Sequence, residues 1–239
     1  VKNVLIYVLS AEMAPYPALR EAAKATWDAQ PLIHTETLYY TASQVPTAGV
    51  MVNLPIPDSL YDMGRKDIAA YQWALANRQW DYMARVNASC YVRKQQVLAI
   101  CQTLPATGVF RGVGAPGENG APRYLWGGAQ YLMSRDVVQA FVNNADKWNH
   151  AKMEDVAMSG LARKLGITLD EKGDACSVNR RHTGWVCYRY VNGGMDNFEF
   201  EQFAEMKRKL GGCPFIRVKQ DNDRTQDVWI MQQLHEAWI

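Results

Sequence analysis

Val4-Leu5-Ile6-Tyr7-Val8-Leu9-Ser10-Ala11-Glu12 is the stretch on which the fold class turns. Six consecutive aliphatic and aromatic residues are too few to cross a bilayer, and they lack the polar alternation of a half-buried strand. They suit a strand covered on both faces, as in a parallel sheet, with Ser10 to Glu12 leaving it at a functional edge. Pro17 to Asp28 then has helical composition, so strand, loop and helix follow one another as in an α/β unit.

Outward from this unit the pattern repeats. Thr35 to Thr41 reads as a second strand. Asp62 to Asn77 reads as a helix with Ile68, Tyr71, Ala74 and Leu75 at helical spacing, and Trp80 to Val86 as a short strand. Tyr91 to Leu104 suits a helix. Pro105 to Arg123 is dense in Gly and Pro and reads as a long surface loop of the lid or binding type. Tyr124 to Met133 reads as a strand, Ser134 as the N-cap of a helix reaching about Asn144, and Glu154 to Leu165 as a further helix. Leu169 to Gly194 reads as irregular. Phe198 to Leu210 reads as an amphipathic helix ended by Gly211-Gly212, Phe215 to Val218 as a strand, and Asp223 to Trp238 as a closing helix.

At 239 residues and 48% hydrophobic, the chain suits one α/β domain with a continuous core. A net charge of +2, from 26 basic and 24 acidic residues, demands no polyanionic partner and excludes none. The five cysteines are scattered and form no CxxC spacing, so neither a disulfide framework nor a zinc site is expected. The opening segment has no basic stretch or cleavage site of a signal peptide, and no segment is long and apolar enough to span a membrane. A soluble, cytoplasmic protein is expected, in the host cytoplasm if the chain is viral.

Gly112-Val113-Gly114-Ala115-Pro116-Gly117 spells GxGxxG, but no helix can begin in the Pro- and Gly-rich text after it, so a dinucleotide-binding turn is rejected. Four other segments carry more. Arg20-Glu21-Ala22-Ala23-Lys24-Ala25-Thr26-Trp27 resembles the R-x-x-x-R-x-T-W helix of the Fringe and β-1,3-galactosyltransferase-like glycosyltransferases of the GT-A type. Gly64-Arg65-Lys66, ahead of Trp73, is similar to their N-L-T-x-K-T helix. Trp126-Gly127-Gly128-Ala129-Gln130-Tyr131-Leu132-Met133-Ser134 resembles their G-G-x-x-Y-x-x-S strand, and Glu154-Asp155-Val156 their E-D-V. The four come in family order over roughly the first two thirds of the chain. Phe215-Ile216-Arg217-Val218-Lys219 with Arg224 resembles an H-Y-R-x-K segment of some viral and bacterial relatives.

The resemblance implies a GT-A fold, with a Rossmann-like central mixed sheet flanked by helices in a single domain over 1–239. Residues 1–104 would form the nucleotide-sugar-binding half, and 105–239 the acceptor-binding half with its closing helix. It implies transfer of a sugar from a nucleoside diphosphate sugar to a hydroxyl acceptor, with inversion. Such chemistry needs positive charge at the departing diphosphate and a carboxylate near the acceptor. Asp155 is the candidate base, at a helix start whose dipole favours a carboxylate, and Glu154 is the fallback. A first-turn acid that merely caps its helix is the plain alternative.

The family usually carries D-x-D at the end of the central strand, where carboxylates hold a divalent cation. Here that position reads Asn87-Ala88-Ser89, a neutral pair of weak ligands, and Phe215 stands where relatives have a potentially ligating His. No cofactor is therefore assigned, Mn²⁺ or Mg²⁺ is disfavoured, and a metal-independent enzyme is expected. Asn87-Ala88-Ser89 also spells an N-glycosylation acceptor, read as a chance match.

Donor contacts are then expected from Ser10, Glu12, Arg20, Lys66, Arg85, Asn87, Ser89, Arg217, Lys219 and Arg224, with arginine preferred for bidentate phosphate contact. Each cation alone reads equally well as a solvated surface charge. Trp126, Gly127 and Gly128 are the acceptor candidates, Trp126 by stacking on a ring or equally by core packing. His182, beside Arg180 and Arg181, could reach the diphosphate. Two alternatives stay open: a non-catalytic nucleotide-sugar or glycan-binding protein of this fold, and an acceptor that is a glycan, a protein or a hydroxymethylated base in phage DNA. For DNA, a basic face of Arg180, Arg181, Arg217, Lys219 and Arg224 is expected.

Overall fold

The computed structural model describes residues 1–117, 121–173, 175–181, 184–191, 194–220 and 224–239. In chain order the elements are β1 (Val4–Leu9), α1 (Tyr16–Ala25), β2 (Thr35–Ala42), β3 (Met51–Leu54), α2 (Met63–Asn77), β4 (Tyr82–Asn87), β5 (Cys90–Val92), α3 (Lys94–Thr103), β6 (Phe110–Gly112), β7 (Gly114–Ala115), β8 (Tyr124–Leu125), β9 (Tyr131–Ser134), α4 (Arg135–Asn143), α5 (Glu154–Lys164), β10 (Ala175–Arg181), β11 (Gly184–Val191), β12 (Gly194–Phe200), α6 (Phe203–Leu210), β13 (Phe215–Arg217) and α7 (Gln226–Trp238). A 3₁₀ turn at Gly127–Ala129 joins β8 to β9.

The main sheet is mixed, in the order β3-β2-β1-β4-β9-β6. β3, β2, β1 and β4 run parallel, whereas β9 is antiparallel to β4 and to β6. β1 lies in its middle, and the alternation of a strand sends Val4, Ile6 and Val8 into one core and Leu5, Tyr7 and Leu9 into the other. Each such buried side chain contributes roughly 1.5–3 kcal/mol. The unbroken apolar run in β1 is thus the consequence of two covered faces. α2, α4 and α5 fill the core on the Leu5 side, where Tyr71, Phe141 and Leu161 are buried.

A second sheet, in the order β12-β11-β10-β13-β5, carries the other core against α6 and α7. β5 follows β4 after only Ala88 and Ser89, so one short turn passes the chain from the first sheet to the second. The Val218 N–H donates to the Ser89 carbonyl at 2.9 Å and pins that turn.

Several elements differ from the sequence reading, each for a local reason. Leu169 to Gly194 is largely ordered: β10, β11 and β12 form an antiparallel meander. Phe198 and Phe200 belong to β12, and the helix expected from Phe198 starts at Phe203. Cys90 to Val92 pair with β13 as a strand, so the helix expected from Tyr91 starts at Lys94. The strand expected over Tyr124 to Met133 is broken by the Gly127-Gly128 turn and by Gln130, whose φ is 63°. β6 and β7 lie inside the segment read as a loop, and β3 was not anticipated. Ser134 does sit at the N-cap of α4. Its hydroxyl makes no cap bond; it donates to Asp136 Oδ1 at 2.6 Å. Gly112 belongs to β6 and Gly114 to β7, and the next element among the described residues is a strand, β8. The start expected for α7, Asp223, lies outside the described residues. Among the described residues, no helix is long and apolar enough to cross a membrane.

Candidate functional site

Parallel strands in an open sheet leave a crevice at their carboxyl ends, where the chain departs to opposite sides. β1 and β4 are such neighbours, and their ends, Leu9 to Ala11 and Asn87 to Ser89, form one wall of a cavity of about 350 Å³. The 3₁₀ turn closes a second wall with Trp126, Gly127 and Gly128. The start of α5 adds Met153, Glu154 and Asp155, while Lys66 comes from α2, and Arg217 and Lys219 from β13 and the residues after it. Of the residues expected at a site, Ser10, Lys66, Asn87, Ser89, Trp126, Gly127, Gly128, Glu154, Asp155, Arg217 and Lys219 meet here. Glu12, Arg20, Arg85 and Arg224 do not line the space.

The two glycines are required by close approach. A Cβ on Gly127 would lie 2.6 Å from Glu154 Oε1, and one on Gly128 would lie 2.1 Å from Arg217 Nη1 and 2.7 Å from the Trp126 ring. Asp155 is half-buried; its Oδ2 accepts the Gly127 N–H at 3.1 Å and its Oδ1 the Val156 N–H at 2.8 Å. The bond to Gly127 fixes this carboxylate against the turn.

Glu154, one residue earlier, is 5% exposed and turns to the sheet instead. Arg85, in the middle of β4 and 1% exposed, reaches Glu154 Oε1 at 3.1 Å and Asp67 Oδ2 at 3.4 Å. It also donates to Asn87 Oδ1 at 2.9 Å and to the Tyr40 hydroxyl at 3.2 Å. The guanidinium is thus fully engaged behind the cavity, so Arg85 touches the space only through Asn87 and Glu154. This corrects its expected place among direct donor contacts. Two buried carboxylates share one guanidinium, and burial pushes the Glu154 carboxyl up to about 7, with Asp67 and Asp155 adding to the rise and Arg85 opposing it.

The cations divide into held and unheld groups. Lys66 Nζ donates to Asp58 Oδ1 at 2.6 Å and to the Ser10 carbonyl at 3.2 Å. Arg20 braces the loop after β1 from behind, donating to Ser10 Oγ at 2.9 Å and the Ala11 carbonyl at 2.8 Å, with Glu12 at 3.1 Å. Arg20 and Glu12 therefore shape the wall without lining it. Arg224 pairs with Asp227 and lies over the Tyr16 ring.

Arg217 and Lys219 differ: neither has an ion-pair partner among the described residues. Arg217 Nε is buried without a hydrogen bond, and burial together with the charges of Arg224 and Arg85 lowers the pKa of its guanidinium. Positive charge is concentrated here in a form that an anion would relieve.

A divalent cation at the strand end fits poorly. Asn87 Oδ1 already accepts from the cationic Arg85 guanidinium, and its Nδ2 donates to the Gly127 carbonyl at 3.2 Å, so a second cation on that oxygen would face the Arg85 charge. Asp58 and Glu154 are occupied by Lys66 and Arg85. Among the described residues no group of three or more His, Cys, Asp or Glu side chains could hold a metal ion. Phe215 is buried in the core, away from the cavity.

Of the basic face expected for DNA, Arg217 and Lys219 lie together while Arg180 is turned away from them. Arg180 pairs with Trp185 across β11 and lies over its ring, whereas Arg217 pairs with Ser177. Positions 177 and 180 are an odd number apart, so Arg180 and Arg217 point to opposite faces of the sheet. The Arg181 side chain and His182 lie outside the described residues.

Sequence reasoning missed Asp58, Asp67 and the polar face of β10 and β11. An arginine inside the apolar run of β4 was the available signal for a buried acidic partner.

No family model matches the chain. No curated protein matches it either. Among solved structures it is similar to a glycosyltransferase involved in the glycosylation of the major capsid of PBCV-1, with a TM-score of 0.50 and 9% identity over 95% of this chain and 98% of that one. The chain has a GT-A fold. Near-complete coverage of both chains extends that likeness to the second sheet and α7, beyond the reach of the four sequence segments.

Proposed function

We propose that the chain is a glycosyltransferase that moves a sugar from a nucleoside diphosphate sugar to a hydroxyl acceptor with inversion and without a metal ion. What chiefly supports this is the meeting, at the carboxyl ends of β1 and β4, of a carboxylate tied to a Gly-Gly turn with two cations, Arg217 and Lys219, that have no ion-pair partner among the described residues.

Residues 1–104 would supply most of the donor site and 105–239 the acceptor side, within one domain. In the reaction the acceptor hydroxyl gives its proton to Asp155 as its oxygen attacks the anomeric carbon. The bond from that carbon to the diphosphate oxygen breaks, and the nucleoside diphosphate departs with the electron pair. Arg217, Lys219 and Lys66 lie where they could offset the charge that develops on it. Asn87 and Ser89 would hydrogen-bond the donor. Arg85 acts as a positioning residue for Asn87 and Glu154, and Trp126, Gly127 and Gly128 face the acceptor.

Asp155→Asn tests the assignment. It should lower transfer by roughly 10²–10⁴-fold, the usual worth of a general base, with nucleoside diphosphate binding unchanged by calorimetry. Full activity in that variant overturns the role of Asp155, and turnover lost in EDTA overturns metal independence. A wild-type protein that binds nucleoside diphosphates but turns over no donor is a binding protein of this fold instead.

A further inference from the structure

The second sheet presents two unlike faces. Cys176, Val178, Cys187, Ile216 and Val218 enter the core, while Ser177, Tyr188 and Arg217 share the opposite face as cross-strand partners. Tyr190 and Met195 pair on that same face between β11 and β12. Together with Asn179 and Trp126 this face lines a second cavity of about 270 Å³.

The two cavities share Trp126, Arg217 and Lys219, so they meet at these three side chains. Asp155 stands next to that junction through its bond to Gly127. A group seated in the second cavity could therefore present a hydroxyl toward the carboxylate and a donor sugar in the first.

The lining has a chemical bias. The Trp126 and Tyr190 rings meet edge to face, with centroids 4.9 Å apart and planes at 66°, and make an aromatic corner. Ser177, Asn179 and the Tyr188 hydroxyl place hydrogen-bonding groups around it. A pyranose ring has an apolar C–H face and a rim of hydroxyls, and matches both features. A nucleic-acid strand needs a cationic track with stacking platforms, and here Arg180 is turned to the far face. At about 270 Å³ the space falls just under the roughly 300–1,000 Å³ typical of drug-sized ligands, which suits a single ring.

We infer that this second cavity is the acceptor subsite and that it takes a pyranose ring of a glycan. The inference rests on the first cavity being the donor site, and the experiment separates the two.

Methyl glucopyranoside, galactopyranoside, mannopyranoside and xylopyranoside are offered singly to the protein and followed by saturation-transfer NMR. A hexanucleotide carrying hydroxymethylcytosine and a serine-containing hexapeptide are tested alongside, and UDP, GDP and CMP are titrated by calorimetry. At least one pyranoside should bind, at least tenfold more weakly in Tyr190→Ala and in Asn179→Ala, with nucleotide affinity within twofold of wild type. Should Tyr190→Ala fail to fold, Asn179→Ala alone carries the test.

Binding of a nucleotide with no pyranoside bound, or pyranoside binding unchanged in Asn179→Ala, overturns the subsite and leaves the donor reading standing. Displacement of the pyranoside signal by the hexanucleotide or the peptide overturns the choice of acceptor. Loss of all nucleotide binding in the wild type overturns the donor reading itself.

Discussion

Replacing Glu154 by Gln should change how stability depends on pH, and the size of the change follows from the charges around it. Arg85 from β4 faces Glu154 together with Asp67 from α2, and Asp155 is the neighbour on α5; the Tyr40 and Tyr131 rings complete the surroundings. One guanidinium cannot offset two buried carboxylates, so burial raises the Glu154 pKa from 4.5 to about 7. Between those values the folded protein holds a proton that the unfolded chain has released. Stability from this group is therefore greatest at low pH and falls as pH rises through about 7, the direction opposite to that of a carboxylate with a depressed pKa. Linkage between pH 5 and pH 8 gives a fall of about 2–3 kcal/mol. Gln mimics the protonated acid and cannot titrate, so this part of the slope should vanish in Glu154→Gln. Urea unfolding of both proteins at pH 5 and pH 8 gives a double difference in which titrating groups remote from Glu154 cancel. The variant should gain about 2 kcal/mol over wild type on going from pH 5 to pH 8. A double difference below about 0.5 kcal/mol would mean that folding does not raise the Glu154 pKa, and would falsify the charge accounting at Arg85.

Two further outcomes follow from the same neighbourhood. Arg85→Met leaves Asp67, which has no exposed surface, and Glu154 without their cation, and should cost about 3–5 kcal/mol in urea unfolding. Adding Asp67→Asn should restore more than half of that, and a loss unaffected by the second change would show that packing of Arg85, and not its charge, holds this region. Gly128→Ala places a Cβ 2.1 Å from Arg217 Nη1 and 2.7 Å from the Trp126 ring, so both must shift. Nucleoside diphosphate affinity should fall by about tenfold, or 1.4 kcal/mol, in calorimetric titration while the protein stays folded; unchanged affinity would remove Arg217 from the donor site.

The parts of the fold legible from the sequence are those in which one periodicity runs unbroken. β1 declares two covered faces through six apolar residues, and α2 declares one through Ile68, Tyr71 and Ala74. The second sheet was hidden for a different reason. Ala175 to Arg181 alternates only partly, and its pairing with β13 joins residues about forty positions apart, a contact that no local pattern specifies. Likewise Tyr91 to Leu104 reads as one helix until β13 pairs with Cys90 to Val92 and claims its first two residues. At the site, Lys66, Asn87 and Asp155 were picked out by the order of the motifs, and the fold brings all three to one cavity. The engagement of Arg85 was not. Asp67 looks like an ordinary polar residue of α2 until the fold turns it toward β4.

At the end of β4 the neutral segment Asn87-Ala88-Ser89 sits beside a crowded set of charges, and its neutrality follows from them. A carboxylate at position 87 would face Arg85 Nη1 at the distance now taken by the amide oxygen, and it would be a third acid around one guanidinium. The neutral amide avoids that crowding and still ties the strand end to the Gly127 carbonyl. On the other wall, Arg217 lies over the Trp126 ring and has no ion-pair partner among the described residues, its Nε buried and its charge opposed by Arg224 and Arg85. In the proposed reaction the positive charge that a metal ion would bring is thus already part of the protein. Burial, with the charges of Arg224 and Arg85, lowers the Arg217 pKa, and a bound anion would offset both. Binding of the diphosphate and stabilisation of its departure would then draw on the same two side chains, Arg217 and Lys219, which are also the ones that border the second cavity. In the proposed reaction, occupancy of one cavity would therefore bear on the other through these side chains.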